Sequence, residues 1–309
     1  MARRCELPNG IMGSSVTVFD DTGHVLLDKL QNHIEWMIKE GVDGISPLGS
    51  SGEFVALEMH ERKAIIEKAA EIINGRVFML AGTHHYATNK TIELSKHAER
   101  AGADGLLIVP PYYMLTTVEQ VKNHYRLVAS TVTIPIVVYH NFASTHVDLS
   151  DEDLVELYNE GAIAGVKLSN TNGRRVLNLL QMTNYGLKVY AGIDLIAFEA
   201  LCYGAHGWIS GVTSIVPGVA KEVYTLIMSG ELEKARALWI KIWPLIQMEF
   251  ASRDDGQGPH WFSVMKAALN LLGLDVGDPL LPIDRLTDPY LKALGLLLEN
   301  LGYKVMAKT

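Results

Sequence analysis

Cysteine is nearly absent: 309 residues hold only Cys5 and Cys202, with no CxxC and no His/Cys cluster at metal-ligand spacing. That leaves no disulfide framework and no metal site to expect, and a reducing compartment fits. Basic residues are the minority, 27 against 35 acidic, for a net charge of −8, and no basic stripe interleaves with aromatics. Nucleic-acid binding, which rests on neutralising phosphates, is therefore disfavoured. No apolar run reaches membrane-spanning length, and the opening Met1-Ala2-Arg3-Arg4-Cys5-Glu6 lacks the apolar core of a signal peptide. The expectation is a soluble, cytoplasmic protein with neither a membrane nor a nucleic acid as partner.

What is present is a large apolar fraction, 48%, with 20% charged residues, enough for a sizeable core. Short β-rich runs alternate with helical stretches. Predicted strands are Met12–Phe19, Gly44–Leu48, Val77–Gly82, Gly105–Val109, Ile134–Tyr139, Ile163–Lys167, Lys188–Gly192 and Gly207–Gly211. Helical periodicity fills the gaps between them. Helix-to-strand junctions repeat a glycine pair, as in Gly41…Gly44, Gly102…Gly105, Gly161…Gly165 and Gly204…Gly207. Near-continuous apolar strands read as a parallel sheet covered on both faces. No GxGxxG follows the first strand, as an open dinucleotide-binding sheet would suggest, and eight units suit closure. The predicted fold is α/β, a (β/α)8 TIM barrel over residues 1–228 carrying the active site, with a C-terminal helical extension over 229–309. The extension reads as Leu232–Glu249, His260–Leu272 and Asp288–Leu301.

In such a barrel the site lies where strands end. Lys167 closes the run Ile163-Ala164-Gly165-Val166. Either it is a surface lysine just past a strand, or a sheltered amine, depressed in pKa, that attacks a carbonyl. Tyr139 ends the preceding strand. It stacks in the barrel mouth, or it shares a cavity with Lys167 and relays protons. Gly49-Ser50-Ser51-Gly52-Glu53 offers hydroxyls and backbone N–H groups to an anion, or simply caps a helix. Pro110-Pro111-Tyr112-Tyr113 suits packing or an interface. His84, His85 and Tyr86 read better as substrate-facing polar groups than as a metal site. Trp239, Trp243 and Trp261 read as core or interface residues.

Together these stretches resemble the N-acetylneuraminate lyase / dihydrodipicolinate synthase superfamily of Schiff-base, pyruvate-dependent lyases. The resemblance runs over nearly the whole chain: GSSGEFVALEMHER (Gly49–Arg62), KHAERAGADGLLIVPPYY (Lys96–Tyr113), IPIVVY ending at Tyr139, GVK ending at Lys167, SGELEKARAL (Ser229–Leu238) and VMKAALNLLGL (Val264–Leu274). It implies that Lys167 forms the imine, that Tyr139 relays protons with Ser50, and that Ser50 and Ser51 hold the pyruvyl carboxylate. It also implies that Ile209 offers a backbone carbonyl, and that Tyr113 reaches a neighbouring subunit's site in a homotetramer, a dimer of dimers. No metal or cofactor is implied, because the imine at Lys167 is itself the electron sink. Ser169, His140, Gly192 and Asp194 are added as substrate-binding candidates.

The departures bear on the substrate. Dihydrodipicolinate synthases carry an arginine five residues after the tyrosine, for the semialdehyde carboxylate; here stands Ser144. Sialic-acid lyases follow their seventh strand with glycine and an acidic pair, of which Gly192 and Asp194 remain, with Leu195 next. The leading expectation is a class I aldolase or lyase that reversibly cleaves a 2-oxo acid, of the 2-keto-3-deoxy sugar acid or 4-hydroxy-2-oxo acid type, to pyruvate and an aldehyde. The alternatives are a dehydratase working through the same imine, a dihydrodipicolinate synthase, and a non-catalytic barrel that binds a 2-oxo acid.

Overall fold

A computed structural model describes residues 6–114, 116–255 and 258–306. Eight parallel strands close into a barrel in chain order, with β1 completing the ring against β8. They are β1 (Gly10–Ser14), β2 (Gly44–Ser46), β3 (Phe78–Gly82), β4 (Gly105–Ile108), β5 (Ile136–His140), β6 (Gly165–Leu168), β7 (Lys188–Ala191) and β8 (Gly207–Ser210). The strands are buried almost throughout, as a ring covered by helices outside and filled by side chains inside requires. No helix among the described residues is long and apolar enough to cross a membrane.

Local chemistry accounts for the joints. Gly102 ends the helix Thr88–Ala101 at φ 102°, where a Cβ would be strained. At the closure of the ring, a Cβ on Gly207 would lie 2.0 Å from the Gly10 carbonyl oxygen, so β8 and β1 approach only because that side chain is missing. Ser150 opens the helix Asp151–Asn159 by accepting the Asp153 N–H, and Asp153 accepts the Ser150 N–H in return.

The first strand departs from the sequence reading. It pairs from Gly10, and regular structure stops at Ser14 rather than continuing to Phe19. The following Ser15–Val18 is a buried loop whose apolar alternation mimics a strand. Ser15 N–H bonds the Ser46 carbonyl, and Thr17 Oγ1 donates to the Gly52 carbonyl at 2.7 Å. Likewise Gly49–Glu53 caps no helix. It forms a 3-10 turn, and the long helix begins only at Met59.

After β8 the chain runs through the helix Pro217–Met228 into Leu232–Asp255, Trp261–Leu271 and Asp288–Asn300. The last group is fastened to the barrel by a buried ion pair. Lys266, fully inaccessible, places Nζ 2.9 Å from Glu53 Oε1, and Glu53 Oε2 accepts the Leu280 N–H. Burial pulls the Lys266 ammonium below its ordinary pKa, and the Glu53 charge opposes that pull. Replacing Lys266 with methionine strands the carboxylate, so Lys266→Met is expected to cost about 3–5 kcal/mol in chemical denaturation. The double variant with Glu53→Gln should recover part of that loss. A single variant within about 1 kcal/mol of wild type would mean that the pair does not hold the two parts together.

Candidate active site

The β5–β6 ladder puts Tyr139 directly opposite Lys167. Alternation along each strand then sends both side chains to the same side, into the mouth of the ring. Lys167 is 4% exposed, and its Nζ lies 3.8 Å from the centre of the Tyr139 ring. The Ser50 hydroxyl is 3.4 Å from the Tyr139 hydroxyl. Burial by itself would raise the Tyr139 phenol, but the Lys167 charge and hydrogen bonds from Ser50, Lys167 and Ser169 outweigh it. They hold the phenol below its usual range. A phenol in that state gives and takes a proton more readily than a free tyrosine.

Room for the lysine stem comes from a neighbour without a side chain. A Cβ on Gly192 would fall 2.7 Å from Lys167 Cγ and 2.5 Å from Ser169 Oγ. Ser169 in turn donates to the Gly192 carbonyl at 2.7 Å, tying the ends of β6 and β7. The cavity, about 100 Å³, is lined by Ser50, Ser51, Tyr139, Lys167, Ser169, Gly192 and Asp194 among the residues singled out in sequence. Ser144 lines it too.

Other candidates lie elsewhere. His140, one residue past Tyr139, faces the helical layer, where its Nε2 accepts the Leu149 N–H beside Asp148 and Arg175. It is not among the residues that line the cavity. Ile209 is buried in β8 opposite Met12; the next residues, Ser210 and Gly211, line the cavity instead. Tyr113 is 93% exposed, at φ 79°, and contributes nothing to the cavity of its own chain.

His84, His85 and Tyr86 are also not lining residues. His84 is a structural clasp. Its Nδ1 accepts the Val109 N–H, so Nε2 carries the proton and donates to the Leu48 carbonyl at 2.8 Å. Burial first, then the Arg62 charge, push its pKa down to about 3, which keeps the ring neutral. Arg62, itself buried, holds the His84 carbonyl at 2.6 Å.

Part of the cavity wall lies outside what the sequence led one to expect. Glu249, Phe250, Trp261 and Met265 line it, all from the helical extension, so the barrel alone does not carry the site. Trp261 is thus a cavity wall, unlike Trp239, which packs against Trp208 and Phe198. One signal was available for Glu249. Ile242, Leu245 and Ile246 form a buried stripe on one helix, and Glu249 is its next member at helical spacing.

Asp194 has all its acceptors engaged. Oδ1 takes the Trp208 indole N–H, and Oδ2 takes the Ser210 hydroxyl and the Gly211 N–H. Burial nevertheless raises its pKa to about 6, the hydrogen bonds only partly opposing it.

Comparison with known proteins places the chain in a family. A model of the dihydrodipicolinate synthetase family matches residues 7–301. The chain belongs to that family. It is therefore a lyase of the class I, pyruvate-dependent kind. The 4-hydroxy-tetrahydrodipicolinate synthase of Methanocaldococcus jannaschii is 33% identical over 294 residues, covering 95% of this chain and 98% of the relative. That of Syntrophus aciditrophicus is 31% identical over 293 residues, with the same coverage of 95% and 98%. Among solved structures, dihydrodipicolinate synthase from Aquifex aeolicus superposes with a TM-score of 0.89 at 27% identity, covering 97% of this chain and 100% of that one. YagE, a prophage protein of the family from E. coli in complex with pyruvate, gives 0.88 at 30% identity, covering 96% and 99%.

Two outcomes are expected. Gly192→Ala displaces the Lys167 stem, and a displacement near 1 Å at a reacting group costs about a hundredfold in rate. The variant should lose turnover and some stability, since the added Cβ would also lie 2.8 Å from the Leu168 carbonyl oxygen; near-normal kcat would mean that the glycine is incidental. Second, between pH 3.8 and about 6 the folded chain keeps a proton on Asp194 that the unfolded chain has released. Stability from this group is therefore lost as pH rises through that window, by roughly 3 kcal/mol. Denaturant midpoints across the window should show a shallower decline in Asp194→Asn, and an unchanged slope counts against the raised carboxyl.

Proposed function

We propose that this chain cleaves and forms a carbon–carbon bond in a 2-oxo acid through an imine at Lys167, with pyruvate and an aldehyde as the other side of the equilibrium. The observation that carries the reading is the pairing of Lys167 with Tyr139 under the Ser50 hydroxyl. The Lys167 amine adds to the ketone and water leaves, giving a protonated imine. Tyr139, as phenolate, takes the C4 hydroxyl proton; the C3–C4 bond breaks, its electrons pass into the iminium, and the aldehyde departs. The remaining enamine is protonated at C3 and hydrolysed, which returns the amine and frees pyruvate. Ser50 and Ser51, both lining the cavity, hold the carboxylate throughout as hydroxyl donors. No separate cofactor enters this cycle, because the iminium accepts the electrons.

The choice among family chemistries follows from the lining. The relatives from Methanocaldococcus jannaschii and Syntrophus aciditrophicus are named 4-hydroxy-tetrahydrodipicolinate synthases. In this chain Ser144 lines the cavity, and Lys167 is the only basic side chain among the described lining residues. A second carboxylate on the incoming aldehyde would find no guanidinium among the described lining residues to grip it, and would share the cavity with Asp194 and Glu249. That favours an aldehyde without a carboxylate. Dehydration through the same imine would need a group placed to protonate a leaving hydroxyl; product analysis separates the two, since only cleavage releases pyruvate.

Exposed Tyr113 suits a role at a second copy's site, which supports assembly into a tetramer of paired dimers. The family includes a reported monomeric variant of dihydrodipicolinate synthase, so sedimentation is the direct check.

Pyruvate with borohydride should leave a stable adduct on Lys167, visible by peptide mass, and Lys167→Ala should abolish it. Tyr139→Phe should still form some adduct while losing turnover by about a hundredfold or more, the range of general acid–base catalysis. An unlabelled Lys167 in active protein would remove this mechanism.

A further inference from the structure

Glu249 is 2% exposed and lines the cavity from the helix Leu232–Asp255. Neither of its carboxyl oxygens has a hydrogen-bond partner among the described residues. Buried polar groups are almost always satisfied, so an unsatisfied pair facing a cavity asks what completes it. Asp194 poses no such question, since Trp208, Ser210 and Gly211 occupy its oxygens. Glu249 is also fitted to its place: a Cβ on Gly211 would come within 2.4 Å of its Oε1. Burial first, then the Asp194 charge, raise the Glu249 carboxyl well above the usual carboxylate range. That shift favours the protonated form, which has one O–H to give and a carbonyl oxygen to accept.

We infer that Glu249 is a specificity-determining residue that hydrogen-bonds a hydroxyl on the aldehyde half of the substrate, and that uncharged, hydroxyl-bearing aldehydes are the acceptor class. The inference deepens the imine reading above and rests on it. A hydroxyl both donates and accepts, which matches both halves of a neutral carboxyl. An alkyl group would leave both oxygens orphaned, and a carboxylate would bring negative charge beside Asp194. Lys167 and Tyr139, the other titratable groups of the cavity, belong to the pyruvyl end with the serine pair. Phe250, Trp261 and Met265 complete the walls around Glu249, and apolar neighbours make a single hydrogen bond more discriminating.

The test is aldol addition of pyruvate to glyceraldehyde, propanal and succinic semialdehyde, run on the full-length protein. Wild type should prefer glyceraldehyde over both others. Glu249→Gln, which still donates and accepts, should keep that preference. Glu249→Met should lose about tenfold in kcat/KM for glyceraldehyde, mainly through KM, with propanal little changed. Glu249→Asp, a methylene shorter, should lose preference in the same direction and serves if the methionine variant does not fold. Equal effects on glyceraldehyde and propanal, or none, would overturn the assignment, as would a wild-type preference for succinic semialdehyde. Borohydride trapping of pyruvate on Lys167 in every variant separates the cases. A trapped adduct with no hydroxyl preference defeats the role of Glu249 alone. No adduct in wild type defeats the imine reading, and this inference with it.

Discussion

The register between two neighbouring strands governs this molecule. Slipping β5 against β6 by one residue would turn either Tyr139 or Lys167 away from the mouth of the ring, because strand side chains alternate. In the observed register the phenol ring lies under the amine, and the loop after β2 brings Ser50 within reach of the phenol. The buried amine and the phenol beside it then share a single geometric origin. The helices outside the ring, the glycine joints and the closure at Gly207 all serve to fix that pairing.

A second constraint is space. Gly192 and Gly211 each stand where a Cβ would strike a polar side chain, Lys167 in one case and Glu249 in the other. These positions act by subtraction: they admit long side chains into a crowded rim without forcing strands apart. Positional precision at the rim is bought with missing atoms as much as with contacts.

The barrel and its strand-end residues were legible because they obey short-range rules. Apolar runs of strand length, glycines after helices, and a lone lysine closing a buried run each carry their meaning locally. His84 and His140 were misplaced for a different reason. A polar residue near a strand end reads the same whether it faces the cavity or clasps a neighbouring backbone, and only the fold decides. His84 turned out to satisfy Leu48 and Val109. Ser15–Val18 misled in the same way, since a buried loop needs the same apolar side chains as a strand. The walls from the extension were hidden by distance: nothing within the sequence around Trp261 or Met265 says that a helix nearly a hundred residues past Lys167 folds back over it. Only Glu249, an acid on an otherwise apolar stripe, carried a local mark.

That the extension forms one wall has a bearing on how such enzymes diversify. Substrate change in ring-shaped enzymes is usually sought in the loops that follow the strands. In this chain, altering Glu249 or its neighbours would change the lining of the cavity while every loop that follows a strand stays as it was. Two proteins could thus share all their strand-end residues and still handle different metabolites, the distinction residing in a segment that a comparison of the central ring would pass over.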